Sequence, residues 1–533
     1  MSKAWFKNAV FYGIDIGAFQ DSNGDGIGDF QGLIQRLPYL ADLGVTCLWL
    51  LPFYSSPFRD NGYDVIDYYK VHPAFGTLDD FIEAVGAARS YGIHVIIDLV
   101  VAHTSDEHPW FQAARADVKS PYRNYYFWTQ KPESITSPAF PGEEDDTWSF
   151  DDAAGEYFFH LFYRFQPGLN AFNKEVRTEI IRVMDFWMSH GVSGFRIDAA
   201  PHLIERRDND NDKARYDHEI LKELRRHVDG SGKHTVLLGE TNVDLDELPA
   251  FCGSGDELHL LYNFFLDSYL FLTLAQEQAA PLHYAMAQTP AIPRSCQYVN
   301  FLRNLDELNV EHLNEQEREH VFGVFAPDDA MRIYGRGIRR RLASMVSDAR
   351  KREMAFSLLF TLPGAPLLVY GDEIGMGDDL SLPGRAAVRR AMQWEPDHNE
   401  ESTPTAEKSP SIICGTHGCD PGNAADQLQN PASFLHAIKR LIACRRRHSL
   451  WATGRHTMLH TGDSGIVAME CVDETSRVAA LHNLTGKPKQ VKIPGRERER
   501  WVSVLETKEV HKPTEEGIEL EPYGYDWYRV ECQ

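Results

Sequence analysis

Eight short runs rich in Val, Ile and Leu recur along the chain, and no other feature constrains its fold as tightly. They are AVFYGIDI (9–16), VTCLWLLP (45–52), HVIIDLVV (94–101), VSGFRIDA (192–199), TVLLGET (235–241), ELHLLYNF (257–264), QYVNFLRN (297–304) and APLLVYGDE (365–373). Segments with helical periodicity separate them, which is the pattern of βα units around a parallel sheet. Eight such units close into a (β/α)8 TIM barrel, the α/β fold expected here.

Roughly 90 residues separate the third run from the fourth, far more than one helix and loops of about 2–6 residues require. The excess, 104–170, is expected to form a small inserted domain, leaving 1–103 and 171–450 to the barrel. Further on, GIVAMECV, RVAALHNL, WVSVLE and YDWYRVE alternate apolar with polar residues as half-buried antiparallel strands do. Residues 451–533 therefore read as a C-terminal antiparallel β-sandwich domain. The stretch 401–423, rich in Pro, Ser, Thr and Gly, reads as a long loop.

At 533 residues, 43% of them hydrophobic, the chain can bury more than one core. Its formal charge of −24 would repel nucleic acid and anionic membrane surfaces, leaving neutral or cationic small molecules as ligands. Eight cysteines show no framework spacing, the N-terminus lacks an apolar targeting segment, and no run approaches 18 apolar residues. A soluble cytoplasmic protein is expected, either monomer or homo-oligomer.

In a parallel barrel the chemistry sits at the C-terminal ends of the strands, so polar residues closing apolar runs carry weight. Run three is closed by Asp98 and His103, run four by Arg196 and Asp198, and run five by Glu240. Run seven ends in Asn304 and Asp306, run eight in Asp372 and Glu373. Any one acid there is open to a plainer reading, a helix cap or half of an ion pair such as Arg196 with Asp198. Several on different strands point to a shared pocket. Without a nucleophilic Ser or Cys motif or a phosphate cradle, they suit glycosidic bond chemistry. One carboxyl protonates the leaving oxygen while another attacks the anomeric carbon or activates water.

The motifs DLVVAH (98–103), GFRIDAA (194–200), LLGET (237–241) and FLRNLDE (301–307) resemble, in order and spacing, the four strand-end motifs of the α-amylase family, glycoside hydrolase family 13. The resemblance extends over roughly residues 5–450. DSNGDGIGDF, HTSDEHPWF, MRIYGRGIRRRLA and LPGAPLLVYGDEIGMGDD are most similar to the trehalose synthases and α-glucosidases of that family.

The resemblance implies that Asp198 is a nucleophile forming a covalent glucosyl intermediate, Glu240 the general acid/base, and Asp306 the group that holds sugar hydroxyls and stabilises the transition state. It also implies that Asp60 and Tyr63, in RDNGYDVIDYYKV (59–71), grip the non-reducing glucose while His103 and Arg389 bond its hydroxyls. An Asx turn and a core tyrosine are the alternatives for Asp60 and Tyr63. Arg196 shares a strand face with Asp198 and is expected to hold it ionised, whereas Glu240 needs the opposite environment. The implied substrate is a small α-glucoside, and the implied reaction is maltose–trehalose interconversion with retention. Hydrolysis or transfer by an α-glucosidase or transglucosylase is the alternative, and a non-catalytic glycosidase-like binding protein the remote one.

The chain departs from the family pattern at four places. Leu305 stands where a histidine usually donates to the bound glucose, and Ala102 where an Asn ligates calcium in many relatives, so that second calcium site is expected to be absent. Gly168 replaces an acid in QPGLN, and Arg390 and Ala391 alter the VRRAMQW segment.

In DSNGDGIGDF (21–30), Asp21, Asn23, Asp25 and Asp29 fall at positions 1, 3, 5 and 9 of an EF-hand-like loop, with Gly26 at the sharp turn and Ile27 offering a carbonyl. Position 12 is Gly32, so the bidentate Glu is missing. One structural Ca2+ or Mg2+ in the first βα loop is expected, with a glycine-rich Asx-turn loop as the alternative. No organic cofactor is expected. YRNYYFW (122–128) reads either as a sugar-stacking wall or as the core of the inserted domain. CGTHGC (414–419) offers three zinc ligands and no clear fourth, and the basic runs 338–341 and 445–448 read as solvated helix faces and internal ion pairs.

Overall fold

The computed structural model describes residues 4–132, 138–206, 215–396, 422–496, 499–505, 510–511 and 517–532. Cys414, His417 and Cys419 lie outside the described residues, as does most of the 401–423 stretch.

Each of the eight runs contains one barrel strand: β1 (Phe11–Ile14), β2 (Cys47–Leu50), β3 (His94–Leu99), β4 (Gly194–Ile197), β5 (Val236–Gly239), β6 (Leu260–Tyr262), β7 (Gln297–Phe301) and β8 (Ala365–Val369). Every strand pairs in parallel with its sequence neighbours, and β8 pairs with β1 to close the barrel. Helices cover the outer faces and side chains fill the interior, so the strands are buried on both sides. That is why they read as continuous apolar runs with no alternation. Gly13 on β1 leaves room for Trp49 from β2, whose ring would lie only 2.8 Å from an added Cβ.

Between β3 and β4, Trp128–Thr129, Trp148–Asp151 and Glu156–Phe159 form a three-stranded antiparallel sheet. Its aromatics pack on one another: Phe111 stacks on Trp128 at 5.6 Å, and Arg123 lies 3.8 Å above the Trp128 ring. The YRNYYFW aromatics thus build the core of this inserted segment, and none of them lines the acidic cavity described below.

The C-terminal segments form a six-stranded sheet whose edge strands are Arg455–Met458 and Val510–His511, and Lys489–Val491 pairs with Ile518–Leu520 in a separate two-stranded sheet. The two-residue period sends neighbours to opposite faces. Tyr528 enters a local core with Leu459, Ile466 and Trp501, whereas Trp527 faces the barrel and donates through Nε1 to Ser357 Oγ at 2.8 Å. Among the described residues, no helix is long and apolar enough to cross a membrane.

Candidate active site

Strand register assembles the site. β3 and β4 pair Asp98 with Arg196, and β4 and β5 pair Ile197 with Gly239, so Glu240 ends its strand beside Asp198. Arg196 and Asp198 are two residues apart and point to the same side. One guanidinium joins all three acids. Its NH1 bonds Asp98 Oδ1 and Asp198 Oδ1, each at 2.6 Å, and its NH2 lies 2.9 Å from Glu240 Oε1. Arg196 is only 1% exposed, and Trp49, Tyr63 and Tyr262 surround it at 5.2–5.9 Å. Trp49 Nε1 donates to the second Asp98 oxygen at 2.9 Å.

The backbone fixes the other edge. Ala199 adopts a left-handed conformation, φ 45° and ψ 46°, and its N–H donates to Glu240 Oε2 at 3.0 Å. A non-glycine residue in that region carries strain, held here by the packing around a functional group.

Burial sets the protonation pattern. It pushes Asp98 up to about 7 and Glu240 up to about 7, in both cases against the pull of Arg196. Burial also raises Asp198 above the usual carboxylate range, outweighing Arg196, which acts in the expected direction but does not win. Asp306 behaves oppositely: burial raises it, but Arg385, Arg389 and Arg196 together hold it below the usual range.

Asp306 follows β7. Arg389 NH2 bonds its Oδ1 at 2.6 Å and Arg385 NH1 lies 3.2 Å from the same atom, while Asn304 Oδ1 accepts from its backbone N–H. Leu305 sits at φ 72°, buried among apolar residues, and its carbonyl accepts from Arg389 Nε at 2.8 Å.

A cavity of about 140 Å³ opens here, lined among others by Asp60, Tyr63, His103, Arg196, Asp198, Glu240 and Asp306. The structure thus gathers seven of the eight expected catalytic and sugar-binding residues around one space and sets Arg389 behind Asp306. Tyr63 Oη and His103 Nδ1 are buried without a hydrogen-bond partner, a costly state that a ligand hydroxyl would relieve. Burial lowers His103, so its ring is neutral, and its Nε2 is paired with the Tyr63 carbonyl at 2.9 Å.

Other lining or supporting residues were not singled out by strand-end reasoning. Gln166 Nε2 donates to Asp60 Oδ2 at 2.8 Å, and Gly168 bridges His103 in antiparallel fashion, so QPGLN supports two of the lining residues from behind. Arg385, Glu307, Phe140 and Arg336 complete the rim. The QPGLN match was the one available signal for Gln166. Arg385 lies four residues before Arg389 in a short 3-10 turn, Gly384–Val388, with no periodicity to flag it.

In the first βα loop, Asp21 accepts from the N–H groups of Asn23, Gly24 and Gly26, Asn23 from that of Asp25, and Asp25 from that of Ile27. Asp29 accepts from Ser22 and caps the helix Phe30–Leu43 through the Gly32 N–H. These Asx turns account for the spacing of the loop. Among the described residues, no group of three or more His, Cys, Asp or Glu is gathered to hold a metal ion.

A closed parallel barrel whose strand ends bring carboxyls around one buried guanidinium, at a cavity lined by sugar-compatible polar groups, defines a barrel enzyme of the glycosidase class. The chain belongs to the α-amylase family: residues 16–454 match the alpha amylase catalytic domain. It is 38% identical to "Trehalose synthase/amylase TreS" of Mycobacterium tuberculosis, covering 99% of this chain and 90% of that one. It is also 38% identical to a trehalose synthase of Pimelobacter sp., over 99% of this chain and 96% of the relative. Among solved structures, the trehalulose synthase of Pseudomonas mesoacidophila superposes with a TM-score of 0.79 at 24% identity, covering all of both chains, which speaks for the fold.

The central guanidinium generates a prediction. Arg196→Met leaves Asp98, Asp198 and Glu240 uncompensated, which costs about 3–5 kcal/mol. A carboxyl raised on folding binds more protons in the folded state, up to about pH 7 for Asp98 and Glu240, so acidification favours the folded form. Denaturant unfolding should therefore show the loss at its largest above pH 7 and shrinking below it.

Proposed function

We propose that this enzyme acts on a small α-glucoside by a retaining double displacement and interconverts maltose and trehalose by moving a glucosyl group inside a closed cavity. The observation that carries this reading is Asp198 and Glu240 on two nitrogens of one guanidinium, in a chain matched nearly end to end by trehalose synthases. The cavity, about 140 Å³, falls below the roughly 300–1,000 Å³ of sites for drug-sized ligands and suits one sugar ring. Five carboxyls line it against three guanidiniums, an excess of acid that disfavours an anionic ligand.

In the first step an Asp198 oxygen bonds to the anomeric carbon. The bond from that carbon to the glycosidic oxygen breaks as Glu240 delivers its proton to the leaving oxygen. In the second step Glu240, now a carboxylate, takes the proton from the anomeric hydroxyl of the freed glucose. That oxygen attacks the same carbon and displaces Asp198. Two inversions give retention. Burial pushes Glu240 up to about 7, so it carries the proton it delivers, while Arg196 bonds the attacking Asp198 at 2.6 Å. Asp306, held ionised by two arginines, takes hydroxyls of the ring and faces the positive charge that develops on it.

The Mycobacterium tuberculosis relative, whose name joins synthase with amylase, favours a second reading in which water resolves the intermediate. Chromatography of products from maltose separates the two: trehalose identifies the isomerase, and glucose with no trehalose the glucosidase. Asp198→Asn should lower turnover at least about 1,000-fold. The kcat/KM profile should fall as pH rises through about 7, where Glu240 loses its proton.

For the first βα loop we propose one structural hard cation held by Asp21, Asn23, Asp25, Asp29 and the Ile27 carbonyl. The donor set is all oxygen, and the carboxylates keep lone pairs beyond their hydrogen bonds. It takes no part in the chemistry. Metal analysis of the purified protein should find about one equivalent of Ca2+ or Mg2+, and chelation should lower Tm while kcat below the transition is retained. Cys47, Cys252, Cys296, Cys444 and Cys471 are buried free thiols, which supports a reducing, cytoplasmic setting.

A further inference from the structure

Cys252 and Cys296 are far apart in sequence and meet in space. Cys252 ends the 3-10 turn Leu248–Cys252 between β5 and β6, and Cys296 stands immediately before β7. Two nested turns bring them together. The Leu258 N–H donates to the Phe251 carbonyl at 2.9 Å, and Cys296 Sγ lies 3.4 Å from the Leu258 carbonyl oxygen. Gly255 passes so close to Ser295 that an added Cβ would lie 2.2 Å from its Oγ. Within this contact the Cys252 S–H donates to Cys296 Sγ. The two residues are 0% and 3% exposed, yet Ser254 and Ser295 beside them are exposed, so the pair lies one layer beneath the surface. Cys296 precedes β7 and Asp306 follows it, which places the pair at the end of the barrel away from the cavity.

The surroundings differ from those of an ordinary buried thiol, which is inert. Lys7 Nζ donates to the Cys296 carbonyl at 3.0 Å and also to that of Arg294, while Arg225 NH1 donates to the Glu257 carbonyl at 2.9 Å. Two cations therefore stand near the sulfurs. The Cys252 S–H, with the Ser295 hydroxyl, Arg225 and Lys7 adding to it, holds Cys296 below the ordinary thiol range against the effect of burial. Cys252 goes the other way: its donation to Cys296, then burial and the Glu257 carboxylate, keep it protonated. Burial alone is the leading influence on Cys47, Cys444 and Cys471, and it raises all three. A thiol that ionises readily, in contact with one that keeps its proton, is the arrangement in which one sulfur attacks an oxidant and the other resolves the product.

We propose that Cys252 and Cys296 form an oxidation-sensitive dithiol, a site of reversible covalent modification with hydrogen peroxide as the oxidant. The Cys296 sulfur attacks one peroxide oxygen and the O–O bond breaks. Cys296 becomes a sulfenic acid, and the departing hydroxide leaves as water with the proton that the Cys296 thiol has given up. The Cys252 sulfur then attacks the Cys296 sulfur, the S–O bond breaks, and the second hydroxide takes the Cys252 proton. Two thiols are oxidised to one disulfide and one peroxide is reduced to two waters. A reducing dithiol reverses the step by thiol–disulfide exchange. The new bond ties the turn before β6 to the start of β7, in a chain whose resting cysteines are reduced.

The test uses the whole enzyme, reduced, freed of reductant and exposed to hydrogen peroxide without denaturant. Remaining thiols are blocked with N-ethylmaleimide, and the unreduced peptides are mapped by mass spectrometry. The expected result is a pair of peptides joined through Cys252 and Cys296 that forms on exposure and disappears with dithiothreitol. In Cys252→Ser, dimedone should label Cys296 and no joined pair should form; in Cys296→Ser both signals should vanish. Because the mapping is done on the wild type, it decides the matter even where a serine variant does not fold. Cys252 and Cys296 both recovered as maleimide adducts after exposure, or joined to other cysteines and never to each other, would overturn the proposal. Dimedone labelling of Cys252 instead of Cys296 would overturn the assigned order of attack.

Discussion

A buried guanidinium shared by three carboxyls is the interaction on which the site depends. Arg196 is almost fully removed from water, as are Asp98 and Asp198, and none of the three would stay there alone. Replacing a whole buried cluster of this kind, cation and acids together, with well-packed apolar side chains is often neutral or stabilising, so stability does not explain its presence. What it supplies is a protonation pattern. With three acids around one cation, burial keeps protons on the site near neutrality, on Asp98 and Glu240 up to about pH 7. An arginine can do this because its fork contacts several carboxyls at once while remaining charged at every accessible pH.

The barrel was legible because burial on both faces writes each parallel strand as an unbroken apolar run, and the count of eight leaves one closed solution. The acids at the strand ends were legible for the same reason, since a charge that closes an apolar run stands out. Asp198, Glu240 and Asp306 fall where such reasoning puts them, and the two-residue spacing of Arg196 and Asp198 foretold their contact. What was not legible depends on parts distant in sequence. Gln166 reaches Asp60 across 106 residues, and Arg385 meets Glu307 across 78. No local pattern encodes either. The direction of the Asp198 shift was missed for a related reason: adjacency to Arg196 can be read from spacing, but depth of burial cannot, and burial is the larger effect.

DSNGDGIGDF shows the converse. Its alternation of acids and amides with glycines is a wholly local code, and the loop's hydrogen bonds are correspondingly local, with side chains two to five residues away capturing backbone N–H groups. The same turns that would place oxygens around a cation also satisfy those oxygens without one. Local spacing therefore predicts the loop's shape well and its ligand poorly, because the two readings differ only in what occupies the remaining lone pairs.

Strand ends and rim divide the labour of specificity. The strand-end acids, fixed by register, define what bond can be broken, and they would serve a hydrolase as well as an isomerase. The rim comes from elsewhere: Phe140 from the segment between β3 and β4, Arg336 from the stretch after β7, Arg385 from the turn after β8. Arg336 donates to the Ala139 carbonyl, and Phe140 stacks on Tyr334, so the inserted segment is tied to the barrel directly over the cavity. In the proposed mechanism these groups stand between solvent and the strand-end acids. Loops on a rigid scaffold change more readily than register does.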